Sequence, residues 1–108
     1  MLPTIMQVTR RLRVDLERHE VPVGTEFTVR VRDDRRRPVE GAFVEARRKS
    51  ARTDERGLCR LRLDAPGFWK LVAAKSPTDR VAYEPGSALV RVVSTASRRR
   101  PHRLVGSR

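Results

Sequence analysis

The stretch Glu26-Phe-Thr-Val-Arg-Val-Arg32 places an apolar side chain at every second position and a polar or charged one between. Successive side chains of an extended strand point to opposite faces, so this period predicts a β-strand with one buried face. Five further runs share the period, and their apolar positions are Leu12, Val14 and Leu16; Ala42, Val44 and Ala46; Cys59, Leu61 and Leu63; Trp69, Leu71 and Ala73; and Ala88, Val90 and Val92. No stretch has the apolar stripe of an amphipathic helix, so the sequence predicts an all-β protein with antiparallel strands.

Turn-forming residues separate these runs and set the predicted architecture. They include Pro22-Val-Gly24, Asp33-Asp34, Asp54-Glu-Arg-Gly57 and Asp64-Ala-Pro-Gly67. A short seventh strand at 50–53 is expected to pair with 43–47 across a turn at Arg47-Arg48-Lys49. Seven short strands at this spacing predict a two-layer antiparallel β-sandwich over residues 8–93. Residues 94–108 hold five arginines and no acid, so we expect a basic, disordered C-terminal tail.

Three segments have the features of a known module: Pro38-Val-Glu-Gly-Ala-Phe-Val44, Thr53-Asp-Glu-Arg-Gly57 and Asp64-Ala-Pro-Gly-Phe-Trp-Lys-Leu-Val-Ala-Ala74. They resemble carboxypeptidase regulatory-like domains, which belong with the transthyretin-like and bacterial Ig-like β-sandwiches. The resemblance implies a seven-stranded Ig-like (transthyretin-like) fold in which these segments form a strand start, a tight hairpin and a second strand start. Such modules are usually accessory, so the resemblance transfers no catalytic residue to this chain.

Residues that carry enzyme chemistry are few and scattered. The acids fall in predicted turns or on outward strand positions, whereas acid–base catalysis needs groups that converge in a pocket. His19 precedes a loop, His102 lies in the predicted tail, and Cys59 is predicted to be a buried, inert thiol. With one cysteine and two histidines the chain cannot form an ordinary Cys/His zinc site, and it has no glycine-rich phosphate loop. We therefore expect no enzyme activity, catalytic residue, cofactor or metal.

The chain is strongly basic. Its 25 Lys and Arg against 13 Asp and Glu give a formal charge of +12, of which residues 94–108 supply +5. In such a sandwich the first, second and fifth strands in chain order, which contain Leu12, Phe27 and Cys59, are neighbours in one sheet. Arginines outnumber acids on the outward side of that sheet. The 47–49 turn and the tail emerge at the same end of the sandwich. The candidate polyanion- or partner-binding residues are Arg30, Arg32, Arg47, Arg48, Lys49, Arg60, Arg62, Arg98, Arg99, Arg100 and Arg103.

Two functions remain open on this basis. The first is a non-catalytic interaction or structural module that binds a partner protein. The alternative is accessory binding of a polyanion such as the RNA or DNA backbone, including a ribosome surface, because arginine pairs with phosphate and releases counterions. An arginine excess also arises from coding bias and keeps a small domain soluble. Few aromatic residues are candidates for stacking on bases, namely Phe43, Phe68 and Tyr83.

Location is predicted from what the sequence lacks. No apolar stretch approaches the roughly 18 residues of a membrane-spanning helix. The apolar stretch at the start of the sequence, residues 1–6, is too short for the apolar core of a signal peptide. We therefore expect a cytoplasmic protein, with a place in an exported assembly as the alternative.

Overall fold

The structure, a computed structural model, describes residues 8–94. In this part the chain forms β-strands and no helix, which confirms the predicted all-β class. The strands are β1 (Val8–Arg11), β2 (Arg13–Leu16), β3 (Glu20–Pro22), β4 (Glu26–Arg32), β5 (Phe43–Ala46), β6 (Lys49–Arg52), β7 (Leu58–Arg62), β8 (Gly67–Ala74), β9 (Val81–Glu84) and β10 (Gly86–Val93). The predicted tail lies, from residue 95 onward, outside the described residues.

The strands form three sheets. A five-stranded sheet has the order β3-β10-β8-β5-β6, a three-stranded sheet the order β2-β4-β7, and β1 pairs with β9 alone. The three-stranded sheet joins the first, second and fifth predicted strands, as expected. The predicted hairpin is also present as β5 and β6, with Ala46 opposite Lys49, so its turn is Arg47–Arg48 and Lys49 already belongs to β6.

The five-stranded and three-stranded sheets share one hydrophobic core. Its members are the inward residues of both sheets, such as Val29 and Cys59 on one side and Trp69 and Val90 on the other. The Trp69 ring is 3% exposed, and its Nε1–H donates to the carbonyl oxygen of Ala65 at 2.8 Å. This bond satisfies the polar atom of the bulkiest core side chain.

Residues 8–94 form ten strands rather than seven, and the first predicted strand, now β2, is preceded by an additional strand β1 that ends just before Leu12. Before Leu12 the chain runs parallel to β9, and after it β2 runs antiparallel to β4. Leu12 is buried, and its N–H donates to the carbonyl oxygen of Glu84 at 2.9 Å. A Cβ on Gly86 would overlap the Leu12 carbonyl oxygen, so the two backbones meet here without room for a side chain. Leu12 is therefore the point where the chain passes from one sheet to another.

Two other differences follow from this arrangement. The pairs β1–β9 and β10–β3 are parallel, so the sheets are not wholly antiparallel as predicted. Val14 and Leu16, predicted as core, are only partly buried because β2 is an edge strand. Strand β3 was not predicted and ends at Pro22, the first residue of a predicted turn. Pro22 fits there because β3 is the edge of its sheet, where a missing N–H removes no ladder bond.

Candidate interaction surfaces

The outward side of the three-stranded sheet holds the arginines expected there. In the strand register Arg13 lies opposite Arg32, Asp15 opposite Arg30, Thr28 opposite Arg60, and Glu26 opposite Arg62. Residues opposite each other across two strands share a face, so these side chains form one surface. We call this surface, made of the residues just named, the arginine face.

The arginines of this face differ in their partners. Arg32 donates from Nε and Nη2 to Oδ2 of Asp15 at 3.1 and 2.6 Å, so its fork is already occupied. Within residues 8–94, the side chains of Arg30, Arg60 and Arg62 make no ion pair or hydrogen bond, and all three are exposed. These three guanidinium groups are therefore free for an external anion.

The Arg47–Arg48 turn lies at one end of the molecule. The Arg47 guanidinium stacks 3.9 Å from the centroid of the Trp69 ring, and its Nη2 donates to the Phe68 carbonyl oxygen at 3.2 Å. Lys49 Nζ lies 3.5 Å from Oδ2 of Asp64. Arg47 and Lys49 are thus bound within the protein, which leaves Arg48 as the free cation of the predicted trio in the described part of the chain.

The chain leaves β10 at this same end. Val92 pairs with Gly67 at the start of β8, and β5 runs antiparallel to β8, so its turn also lies at the β8 start. The predicted proximity of the turn and the exit toward the C-terminus is therefore present. The remaining candidates, Arg98, Arg99, Arg100 and Arg103, lie outside the described residues.

Acids at the opposite end shape turns, as predicted. The Asp33 carboxylate accepts the N–H groups of Arg35 and Arg37 at 2.8 and 3.0 Å. The Asp54 carboxylate accepts those of Leu58 and Arg56, and these bonds lower its pKa because they favour the charged form. Both carboxylates thus hold loops.

The outward side of the five-stranded sheet has a different composition. Phe43, Phe68 and Leu89 are 48, 63 and 55% exposed there, and Val72 lies half-buried among them. The register places all four on one side, because Phe43 pairs with Ala74, Phe68 with Arg91, Leu89 with Lys70, and Val72 with both Ser87 and Glu45. We call this surface the apolar face.

The apolar face carries charges of both signs, three cations and two acids. Arg91 lies 3.7 Å from Glu20 of β3, and the Arg52 guanidinium lies 5.5 Å from the centroid of the Phe43 ring. Lys70 and Glu45 are exposed, and neither makes an ion pair or side-chain hydrogen bond within residues 8–94. Sequence reasoning named Phe43 and Phe68 as exposed but missed the face, since only the pairing of β5, β8 and β10 brings them together with Leu89.

The described residues offer little for catalysis. Burial and, to a smaller extent, the nearby Asp54 charge raise the pKa of the Cys59 thiol to about 11, so the thiolate is disfavoured at neutral pH. A concavity of about 810 Å³ beside β7 mixes arginines with carboxylates, among them Asp54, which is already held by backbone N–H groups. In residues 8–94 no three His, Cys, Asp or Glu side chains are grouped as metal ligands, and no helix is present that could span a membrane.

Comparison with known proteins gives no relative from which a role could be inferred. No protein-family model matches the chain, and no curated protein matches it. The arginine face and the apolar face are therefore the features from which function is inferred.

Proposed function

We propose that this chain is a non-catalytic interaction module that binds a partner protein through the apolar face. We also propose that its fold is an Ig-like, transthyretin-like β-sandwich of the kind found in carboxypeptidase regulatory-like domains. Support for the fold comes from the core shared by two sheets, the β2-β4-β7 order and the β5–β6 hairpin.

The observation that carries this proposal is the exposure of three large apolar side chains on one sheet face. Isolated exposed apolar residues are ordinary, but a contiguous group rimmed by polar residues marks a site of protein association. Aromatic residues are enriched in protein interfaces, and charged residues are depleted from their centres. Phe43 and Phe68, with Leu89 and Val72 nearby, match that composition.

A photo-cross-linking side chain at Leu89 tests the proposal in cells that make the protein. A covalent adduct with a polypeptide is expected at Leu89, because this residue lies near the middle of the proposed interface. The matched control is the same substitution at Glu26, which is exposed on the arginine face. Absence of a protein adduct at Leu89, or equal adducts at both positions, would overturn the proposal.

A second function, binding of a nucleic-acid backbone, is favoured by the free guanidinium groups of Arg30, Arg60 and Arg62. Arg60 and Arg62 are two residues apart on β7, and Arg30 lies diagonal to Arg60 on β4, so the three follow a line across the sheet. A planar guanidinium pairs with phosphate through two hydrogen bonds. Of the predicted contacts, Arg32, Arg47 and Lys49 are less suited because each already has a partner in the protein.

Titration with a single-stranded oligonucleotide at rising salt tests this second function. Affinity is expected to fall steeply between about 50 and 200 mM salt, because bound cations release counterions from the backbone. The triple variant Arg30→Gln, Arg60→Gln and Arg62→Gln should bind more weakly and with a shallower salt dependence. The control, with Gln at Arg35, Arg36 and Arg37, removes the same charge from the loop that follows β4, outside the strands of the arginine face. Equal losses in both variants, or no binding near 50 mM salt, would contradict it.

A further inference from the structure

We infer that the partner on the apolar face is a second copy of this chain, stacked face to face about a two-fold axis. This inference rests on the proposed function and identifies the occupant of the same face. A two-fold interface requires a self-complementary surface, in which residue i meets residue j and j meets i. The strand register of the five-stranded sheet provides such a surface.

The positions of the outward side chains follow from the register. Neighbouring strands lie about 4.8 Å apart, and outward residues of one strand repeat about every 6.7 Å. Glu45 of β5 lies opposite Val72 of β8, and Lys70 is the preceding outward residue of β8. Lys70 and Glu45 are therefore diagonal neighbours near the centre of the face. They have opposite charge, and neither has a partner in the described part of the chain.

A two-fold axis in the interface plane, set midway between Lys70 and Glu45 and perpendicular to the line joining them, produces matching contacts. Lys70 then lies over Glu45 of the second copy, and the pair occurs twice. With the strand spacings given above, Leu89 of β10 then lies over Phe43 of the second copy, and Val72 lies over Val72 of the second copy. One operation thus pairs both unpartnered charges and covers Leu89, Phe43 and Val72.

The remaining charges of the face bring one like-charge contact into this stacking, because the same operation places Arg91 over Arg52 of the second copy, and neighbouring groups moderate it. Glu20 and Arg91 neutralise each other, and Arg52 lies beside the Phe43 ring. The arginine face could not stack on itself in this way, because Arg13, Arg30, Arg60 and Arg62 outnumber its acids and like charges in an interface repel. Self-association is therefore assigned to the apolar face alone.

The size of the face limits the strength of the dimer. Strands β8 and β10 have eight residues each, and β5 and β6 have four each; at about 4.8 Å between strands and about 3.3 Å per residue they give roughly 400 Å² per copy. The total of about 800 Å² is below the roughly 1,000 Å² of a stable specific interface, so the contact is of the weak, transient class. Each copy also carries +12, so the copies repel and salt screens that repulsion. Salt screens the repulsion between the exposed net charges more than it screens the two Lys70–Glu45 pairs, which the interface covers. We therefore expect a weak dimer that becomes tighter as salt rises, opposite to the salt dependence of phosphate binding.

Sedimentation equilibrium of the purified full chain tests the inference at about 50 and 500 mM salt. Monomer and dimer are expected, with a lower dissociation constant at the higher salt. Leu89→Asp should abolish the dimer, because it would bury an unpaired charge. Lys70→Glu and Glu45→Lys should each weaken it at least about tenfold, and the double variant should restore it, because exchange of both charges preserves the pair.

Matched controls separate pair formation from net charge. Arg60→Glu and Glu26→Lys make the same charge changes on the arginine face, and neither should weaken the dimer about tenfold. A chain that stays monomeric at both salt concentrations overturns the dimer, and an adduct between Leu89 and a different protein would then leave the proposed function standing. A dimer that survives Leu89→Asp, or a double variant without restoration, also overturns the inference.

Discussion

The two large sheets of this protein share a core but present different chemistry on their outer faces. On β4 and β7 the outward positions hold Thr28, Arg30, Arg60 and Arg62, whereas on β8 they hold Phe68, Lys70, Val72 and Ala74. The inward positions of both sheets are mainly apolar, and most of them are buried. Alternation alone would make the two sheets equivalent, yet only one presents an arginine excess and only one presents large apolar side chains.

The comparison teaches that stability and interaction depend on different positions of the same strands. Burial of the inward side chains stabilises the fold, so truncating one of them lowers the free energy of unfolding. Outward residues contribute little to that quantity but determine what approaches each face. Variants of adjacent inward and outward residues separate the two roles.

The largest effect is expected at Trp69, the inward neighbour of Phe68 on β8. Trp69→Ala should lower the free energy of unfolding by about 3–5 kcal/mol, since it leaves a cavity in the shared core. Phe68→Ala removes an exposed ring and should change it by about 0.5 kcal/mol or less. Urea denaturation of both variants measures the difference. Similar losses would mean that β8 does not have distinct inner and outer faces.

A pH-dependent effect is expected at Cys59, an inward residue of β7. Its pKa is about 11 in the folded protein against 9.0 for a free thiol, so the unfolded chain loses the thiol proton first. The free energy of unfolding should therefore fall as pH rises from about 9 to 11, by about 2–3 kcal/mol. Urea denaturation across that range, compared with Cys59→Ala, measures this contribution, because the variant lacks the group. An identical slope in both proteins would show that the thiol is not buried.

Gly86→Ala tests the junction between the sheets. A Cβ there overlaps the Leu12 backbone, so we expect a loss of about 1–3 kcal/mol from the backbone shift that must follow. Ser87→Ala changes the adjacent exposed residue and serves as the control. Hydrogen exchange should show weakened protection in both β1 and β2, which meet at Leu12. Protection lost in one strand alone would contradict the junction.

The smallest effect separates two adjacent arginines. Arg47→Ala should cost about 0.5–1 kcal/mol, the value of an exposed cation–π contact, and leave oligonucleotide affinity unchanged. Arg48→Ala should leave stability unchanged and slightly weaken the oligonucleotide complex, because its guanidinium is free. Thermal denaturation and binding titration of both variants give the comparison. Equal changes in stability and in affinity for the two variants would show that the Arg47 guanidinium does not stack on Trp69.

The alternating period predicted the inward residues well, because burial on one face of a strand is a local property of the sequence. Leu61, Trp69 and Val90 are examples of predicted core residues that are buried. The division at Leu12 could not be predicted, since Leu12, Val14 and Leu16 keep an unbroken period and only contact with Gly86 places the break. Short strands such as β3 have too few residues to show a period.

The candidate site was predicted only in outline. Composition and topology placed Arg30, Arg60 and Arg62 on one sheet, and the register agrees. The ion pair of Arg32 with Asp15 and the stacking of Arg47 on Trp69 depend on which side chains can contact each other across strands. A count of charges does not contain that information. The apolar face needed the order of β10, β8 and β5, and that order is not local in sequence.

Strand β10 comes last in sequence among the strands of residues 8–94, yet it lies between β3 and β8 inside the five-stranded sheet. During synthesis the facing edges of β3 and β8 therefore stay without their common neighbour until residues 86–93 have emerged. An unpaired strand edge invites pairing with other chains, and a nascent domain with its middle missing is exposed to that hazard. Because synthesis proceeds from the N-terminus, the five-stranded sheet is complete only after β10 has been made. A chaperone that covers open sheet edges would be needed most just before β10 emerges.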